Sequence, residues 1–271
     1  MHSTASDGSL PAREVIEAAA RARLEAVALT DHDTLAGVPE AAAAGARLGV
    51  RVVPGVELSA HDKGEVHMLG LHISRPEPLE ARLAGFREAR RTRAMRIVER
   101  LNELGVPVTM DDVMKHAGSG AVGRPHVARA IVSLGRARDQ REAFDRWLGA
   151  GKPAYVEKEY LAMRDAIALV HQAGGIAVLA HPGASATRAR LEELRGLGLD
   201  GVEVRHPGHT AEDVARIGAL AEHLELLPSG GSDWHGASDG QRTIGCMNIP
   251  ASWLEKQDSF LRERRERERV A

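Results

Sequence analysis

Two rhythms of apolar and polar positions alternate along the chain. Short, mostly β-branched runs recur as AVALT (26–30), RVVPGVEL (51–58), EVHMLGL (65–71), GIAVLA (175–180), GVEVR (201–205) and LELLPSGG (224–231). Between them lie stretches whose apolar residues fall at helical spacing: PAREVIEAAARARL (11–24), TLAGVPEAAAAGARLG (34–49), MRDAIALVHQAGG (163–175), ATRARLEELRGLG (186–198) and TAEDVARIGALAEHL (210–224). Ser9 ahead of Pro11 predicts the cap and first turn of the first helix. Apolar strands alternating with helices predict parallel βαβ units. Such strands need helices on their outer faces, so an α/β barrel or a doubly wound sheet is expected.

The rhythm breaks between about residues 76 and 160. PLEARLAGFREARRTRAMRIVERLNELG places Leu79, Leu83, Phe86, Ile97, Leu101 and Leu104 at helical spacing with arginines between them, and HVARAIVSLG and REAFDRWLGAG continue in the same manner. This predicts an all-helical insertion, 76–160, in a main domain made of 1–75 and 161–271. The closing RERRERER (262–269) reads as a solvated helix end.

Composition narrows the classes. At 271 residues the chain can bury a large core, and 43% hydrophobic with 27% charged residues is ordinary for a soluble domain. A net charge of −2 offers no global attraction to nucleic acid or a membrane surface. The single cysteine, Cys246, excludes an internal disulfide and a cysteine-rich zinc site. There is no apolar run of about 20 residues and no basic start followed by an apolar stretch, so a cytoplasmic protein without an obligate protein partner is expected. Aromatic residues are only 3%, yet there are 13 histidines.

Their placement carries the chemistry. AVALT runs into Asp31-His32-Asp33, RVVPGV into Glu57, GIAVLA into His181 and GVEVR into His206 and His209; LELLPSGG leads to Asp233 and His235, and EVHMLGL itself carries His67. In parallel α/β folds the carboxyl ends of the strands share one crevice, where active sites are built. Histidine with carboxylate and no cysteine suits Mn, Zn or Fe, and a shared carboxylate can bridge ions. Clustered ions activate water and neutralise a phosphate during in-line displacement. A multinuclear metallohydrolase is therefore expected, with a single-zinc amidohydrolase as the alternative. His206 and His209, just past a strand end, are candidates for a phosphate contact or a general acid. His61, His72, His116, His171 and His223 fall away from this rim.

Taken together and in order, HSTASDG, LTDHDT (29–34), PGVELSA (54–60), HMLGL (67–71), GRPHVARA (123–130), LAHPG (179–183) and GSDWHG (231–236) resemble the polymerase-and-histidinol-phosphatase (PHP) phosphoesterases. The likeness is greatest to the bacterial enzymes acting on nucleoside 3′,5′-bisphosphates. It implies a distorted seven-stranded (β/α) barrel holding two to three divalent ions. It also implies a first strand ending in a His-x-His motif, with Met1 at the x and His2 as its second histidine. The chain is accordingly expected to begin inside that motif, without the first histidine.

By position, the resemblance assigns one ion to His2, Glu57 and Asp233, a second to Glu57, His67 and His181, and a third to Asp7, His32 and His235. The ion at His2 is expected to be the weakest or absent. Asp31 and Asp33 are expected to orient ligands or cap the following helix. Arg124 and His126 would contact substrate from the insertion, acting as a lid. The implied reaction is hydrolysis of a phosphate monoester, the 3′-phosphate of a nucleoside 3′,5′-bisphosphate, with short RNA trimmed from its 5′ end as a further substrate. Histidinol phosphate is the rival substrate, and a non-catalytic nucleotide- or metal-binding module is the rival class.

Overall fold

The computed structural model describes residues 1–117, 122–157, 160–236 and 243–270. Among them, seven strands make one sheet: β1 (Ala26–Leu29), β2 (Arg51–His61), β3 (Glu65–Leu71), β4 (Leu161–Ala162), β5 (Ile176–Leu179), β6 (Gly201–Arg205) and β7 (Leu227–Gly230). The order is β1-β2-β3-β5-β6-β7, with β4 beside β2. All six runs expected to be strands are present. The seventh strand is the two-residue β4, which the hydrophobic pattern did not announce.

Parallel pairing holds for β1 with β2, β5 with β6 and β6 with β7. It fails at β3, which runs antiparallel to both β2 and β5. The cause is the Asp62–Gly64 turn, in which the Asp62 N–H donates to the Gly64 carbonyl at 3.0 Å. Three residues close a hairpin, whereas a parallel crossover needs about a dozen. The expectation that every ligand-bearing strand arrives by its carboxyl end is corrected accordingly: His67 sits near the amino end of a reversed strand.

The two ends of this strand order meet through the first residues of the chain. The Thr30 N–H, just past β1, donates to the Met1 carbonyl, and the His2 N–H donates to the carbonyl of Trp234, just past β7, both at 2.9 Å. The sheet thus curls, and its rim is drawn together beside His2.

Helices α1 (Ala12–Arg21) and α2 (Val38–Leu48) cover β1 with Val15, Ile16, Ala19, Ala41 and Ala44. The cap of α1 is Pro11, without a side-chain bond. Ser9 instead donates its backbone N–H to the His235 carbonyl at 2.7 Å, which ties the start of α1 to the rim. Between β3 and β4 lie α3 (Glu77–Glu103), α4 (Met110–Ala117), α5 (Arg124–Ser133) and α6 (Gln140–Ala143), then a π-helical turn at Phe144–Leu148. Helix α3 spans two cores. Leu79 and Leu83 pack under the sheet, whereas Ala94, Ile97, Val98 and Leu101 join Val113, Val127, Ile131 and Leu148 in a separate helical core. The return to the barrel brings α7 (Met163–Gln172), α8 (Arg188–Gly196) and α9 (Ala211–His223) onto the main core, and α10 (Ala251–Val270) lies against β7. The arginine-rich tail is the end of α10. No helix among the described residues is long and apolar enough to cross a membrane.

Candidate metal centre

The loop Met1–Gly8 is folded around one buried carboxylate. Asp31, 1% exposed, accepts hydrogen bonds from the Ser3 N–H, the Ser3 hydroxyl and the Ser6 hydroxyl, each at 2.7 Å. This brings His2 and Asp7 over the end of β1. Beyond β1 the Glu57 N–H donates to the Asp31 carbonyl and the Asp33 N–H to the Glu57 carbonyl, which sets His32 beside Glu57. Across the hairpin, Glu57 pairs with Leu69 and Ser59 with His67. Directly opposed residues share a face of the sheet, and so do residues two apart, so Glu57 and His67 point the same way.

Glu57 is the hub. Its carboxylate lies 2.5 Å from His67 Nδ1, 3.1 Å from His2 Nε2 and 3.2 Å from His181 Nε2. The donor atoms of each of three groups lie within 4.8 Å of one another: His2, Asp7, His32 and His235; His32, Glu57 and His67; His2, Glu57 and Asp233. The eight expected ligands therefore converge. His181 joins through Glu57, and His2 borders two groups. Asp33, His181 and Asp233 hold the left-handed conformation, with φ of 50°, 29° and 48°. For non-glycine residues this costs on the order of 1 kcal/mol each and gathers at functional sites.

Electrostatics and unmet bonds fit bound cations. Burial alone would lower the His2 pKa, but hydrogen bonds to Asp233 and Glu57 raise it to about 10. Burial pushes His32 down to about 3 despite Glu57 and Asp7. Burial would raise Glu57, yet the charges of His32 and His67 and bonds from His181 and His2 hold it well below the carboxylate range. His2 Nδ1, His32 Nδ1 and Asp7 Oδ1 are buried without a hydrogen-bond partner. Such atoms are costly in a folded protein unless something fills the site. His235 donates from Nδ1 to the Asp233 carbonyl at 2.8 Å, leaving the Nε2 lone pair toward Asp7 at 3.4 Å. That tautomer is the one a metal-binding imidazole needs.

The other expected site residues take different places. His209 uses both ring nitrogens on backbone, Nδ1 to the Val204 carbonyl at 2.9 Å and Nε2 from the Gly183 N–H at 3.1 Å. His206 accepts the Gly208 N–H at Nδ1 (3.0 Å), so its proton resides on Nε2, 3.5 Å from Asp233. His126, only 1% exposed, accepts the Gly123 N–H and caps α5 beneath the Asp7 loop. Arg124 lies beside Glu65 at 3.8 Å. His72, His116 and His171 bond to Gln257, Ser133 and Asp200, away from Glu57.

Three contributors were not singled out by sequence. Arg90, on α3, pairs with Asp33 and reaches Ser59. Arg129, on α5, donates to the Asp7 carbonyl at 2.7 Å. Glu203 accepts the His181 N–H at 2.7 Å. Only Glu203 left a sequence signal, an acid inside the apolar run GVEVR.

The PHP domain profile matches residues 1–173. The chain belongs to the PHP domain family. A Chromobacterium violaceum protein named 3′,5′-nucleoside bisphosphate phosphatase is 37% identical over 277 residues, covering 96% of each chain. An Eggerthella lenta protein named phosphoribosyl 1,2-cyclic phosphate 1,2-diphosphodiesterase is 38% identical over 257 residues, 93% of this chain and 98% of that one. The crystal structure of a metal-dependent phosphoesterase from Bifidobacterium adolescentis superposes with a TM-score of 0.88 at 33% identity, covering 94% and 93% of the two chains. This PHP chain is a metal-dependent hydrolase of phosphate esters.

Proposed function

We propose that this PHP phosphoesterase removes the 3′-phosphate of a nucleoside 3′,5′-bisphosphate in the cytoplasm, using two to three manganese, zinc or iron ions. The observation that carries the reading is the Glu57 hub, three donor groups joined through shared residues beneath an arginine-bearing helical insertion. The full-length likeness to the C. violaceum bisphosphate phosphatase supports this substrate over histidinol phosphate. The E. lenta diesterase is equally similar, so a cyclic phosphate belongs in the same assay.

His2, Glu57 and Asp233 would hold one ion, Glu57, His67 and His181 a second, and Asp7, His32 and His235 a third. When bound, such ions neutralise a phosphate and acidify water for in-line attack. The chain's own residues prepare the rest. Asp31 fixes the loop that presents His2 and Asp7. His209 and Glu203 hold the Gly183 and His181 amides, setting the His181 ring toward Glu57. His206 Nε2 faces Asp233 at 3.5 Å and is the one of the two histidines that could pass a proton to a leaving alkoxide, since both ring nitrogens of His209 are taken by backbone. Arg124, partly exposed on α5, donates to substrate phosphate, while His126 supports the Asp7 loop from below.

Turnover with added manganese is measured by chromatography of the products from a nucleoside 3′,5′-bisphosphate, histidinol phosphate, a phosphoribosyl cyclic phosphate and a 5′-phosphorylated RNA trimer. The bisphosphate is expected to exceed the others by at least about tenfold in kcat/KM. Preference for any of the others refutes the substrate assignment. Metal-replete protein that hydrolyses none of them refutes the reaction.

A further inference from the structure

The mouth of the insertion holds an arginine pair that the metal centre does not use. Arg93, one turn beyond Arg90 on α3, donates from Nε to the Val156 carbonyl at 2.8 Å. Its Nη2 is buried and has no hydrogen-bond partner. Arg124, on α5, makes long polar contacts among the described residues, with Nη1 3.4 Å from the Leu148 carbonyl and Nη2 3.8 Å from Glu65, and also lies over the Phe144 ring at 5.8 Å. Both guanidiniums lie against one ring: their carbons are 6.0 and 5.6 Å from the centroid of Tyr155. Burial and the neighbouring charge of Arg124 push the Arg93 pKa down to about 10. Two cations thus converge beside Tyr155, with the Glu65 carboxylate 3.8 Å from Arg124, and Glu65 is also drawn toward Tyr160 and His67.

A buried guanidinium nitrogen without an acceptor is expensive, and the planar fork is shaped for carboxylate or phosphate oxygens. Position identifies the anion. Glu65 and His67 are two apart on β3 and share a face of the sheet. Among the described residues, the Glu65 carboxylate, 3.9 Å from His67 Nε2 and 3.8 Å from Arg124 Nη2, links the pair to the Glu57 hub. A substrate whose scissile phosphate lies over the hub would extend its next anionic group, one sugar away, into this corner.

We propose that Arg93 and Arg124, stacked on Tyr155, bind the second phosphate of the substrate and make the enzyme selective for a bisphosphate over a monophosphate. This rests on the reaction proposed above. The scissile phosphate contributes the reacting atoms; this corner contributes binding only, so its loss appears in KM. Arg124 swings off its long contacts to admit the phosphate, and Arg93 Nη2 gains its missing acceptor.

The test compares Arg93→Gln, Arg93→Lys and Arg124→Gln with wild type on a nucleoside 3′,5′-bisphosphate and on the matching 3′-monophosphate. Expected for both glutamine variants is a loss of about 10- to 100-fold in kcat/KM on the bisphosphate, mainly through KM; for Arg93→Gln the monophosphate rate stays within about threefold. Arg93→Lys should recover part of the loss, since it keeps the charge without the fork. Equal losses on both substrates, or none on either, overturn the assignment while leaving the reaction standing. Independently of turnover, a nucleoside 5′-monophosphate titrated into metal-free protein should bind at least about tenfold more weakly to Arg93→Gln. Unchanged binding there overturns the assignment even if wild type hydrolyses neither nucleotide, a result that refutes the reaction separately.

Discussion

Removing the Asp31 carboxylate tests how the metal centre is assembled. Asp31 touches none of the proposed ions, yet it accepts three hydrogen bonds at 2.7 Å from the loop bearing His2 and Asp7. A hydrogen bond to a charged group contributes about 1.5–3 kcal/mol, and three on one carboxylate are coupled, so Asp31→Ala is expected to cost about 3–5 kcal/mol rather than the full sum. In a chain of this size about 1 kcal/mol moves Tm by roughly 2–4 °C, which gives a fall of about 6–20 °C. The Ser3 N–H and two hydroxyls would be left buried and unpaired, so the loop should also release His2 and Asp7. Bound metal should drop by one to two ions per chain. Asp31→Asn preserves the shape and, at Oδ1, the acceptor for the Ser3 N–H and the Ser6 hydroxyl, while the Ser3 hydroxyl can turn to accept from its amide; it should lose under about half as much. Thermal unfolding and elemental analysis read both effects. A Tm within about 3 °C of wild type together with full metal content would refute the idea that Asp31 organises this loop.

Other outcomes follow from the same geometry. His209→Ala should lower kcat by about 10- to 100-fold without removing a limb of the pH–rate profile, because His209 positions the His181 loop; disappearance of a limb would make it the general acid. With His2 held at about 10, the ion-free protein carries a proton there at neutral pH, so loading the His2 ion must release it. Affinity at that site should therefore rise with pH up to about 10, and binding enthalpies should differ between buffers of unequal protonation enthalpy; buffer-independent heats refute the pairing. Gly45→Ala would put a methyl carbon 2.5 Å from the Val50 carbonyl oxygen and 2.7 Å from Val52, so a loss of about 1–3 kcal/mol in stability, with activity per folded molecule retained, is expected in a melt.

Most of the sheet was legible because its strands are unmixed apolar runs and the polar residues that matter interrupt or end them. Direction was not. EVHMLGL reads alike from either end, and hydrophobic pattern carries no arrow. The deciding feature was the short Asp62-Lys63-Gly64 link, which forces a hairpin and reverses β3. The arginines of α3 were opaque for another reason. The helix is polar on nearly every side, so spacing alone could not separate Arg90 and Arg93, which turn toward Asp33 and Val156, from the exposed Arg91 and Arg96 beside them. His126 looked like a substrate contact of the lid and His209 like a rim residue; the backbone amides of Gly123 and Gly183 occupy His126 Nδ1 and His209 Nε2, and such bonds leave no trace in composition.

The reversal of β3 is also what makes the site. Had β3 been parallel to β2, a crossover helix would separate them, and no short turn would fix His67 against Glu57. The hairpin instead ties the register of His67 to Ser59 and Leu69 to Glu57, so a slip of one residue would turn either ligand to the opposite face. Meanwhile β1 brings His32 alongside Glu57 by parallel pairing, and the two ends of the strand order bring His2 and Asp233 from the other side. Glu57 lies in the interior of β2, where hairpin, parallel pair and chain start all converge. A carboxylate there can be shared by several histidines only because the backbones that carry them approach from different directions.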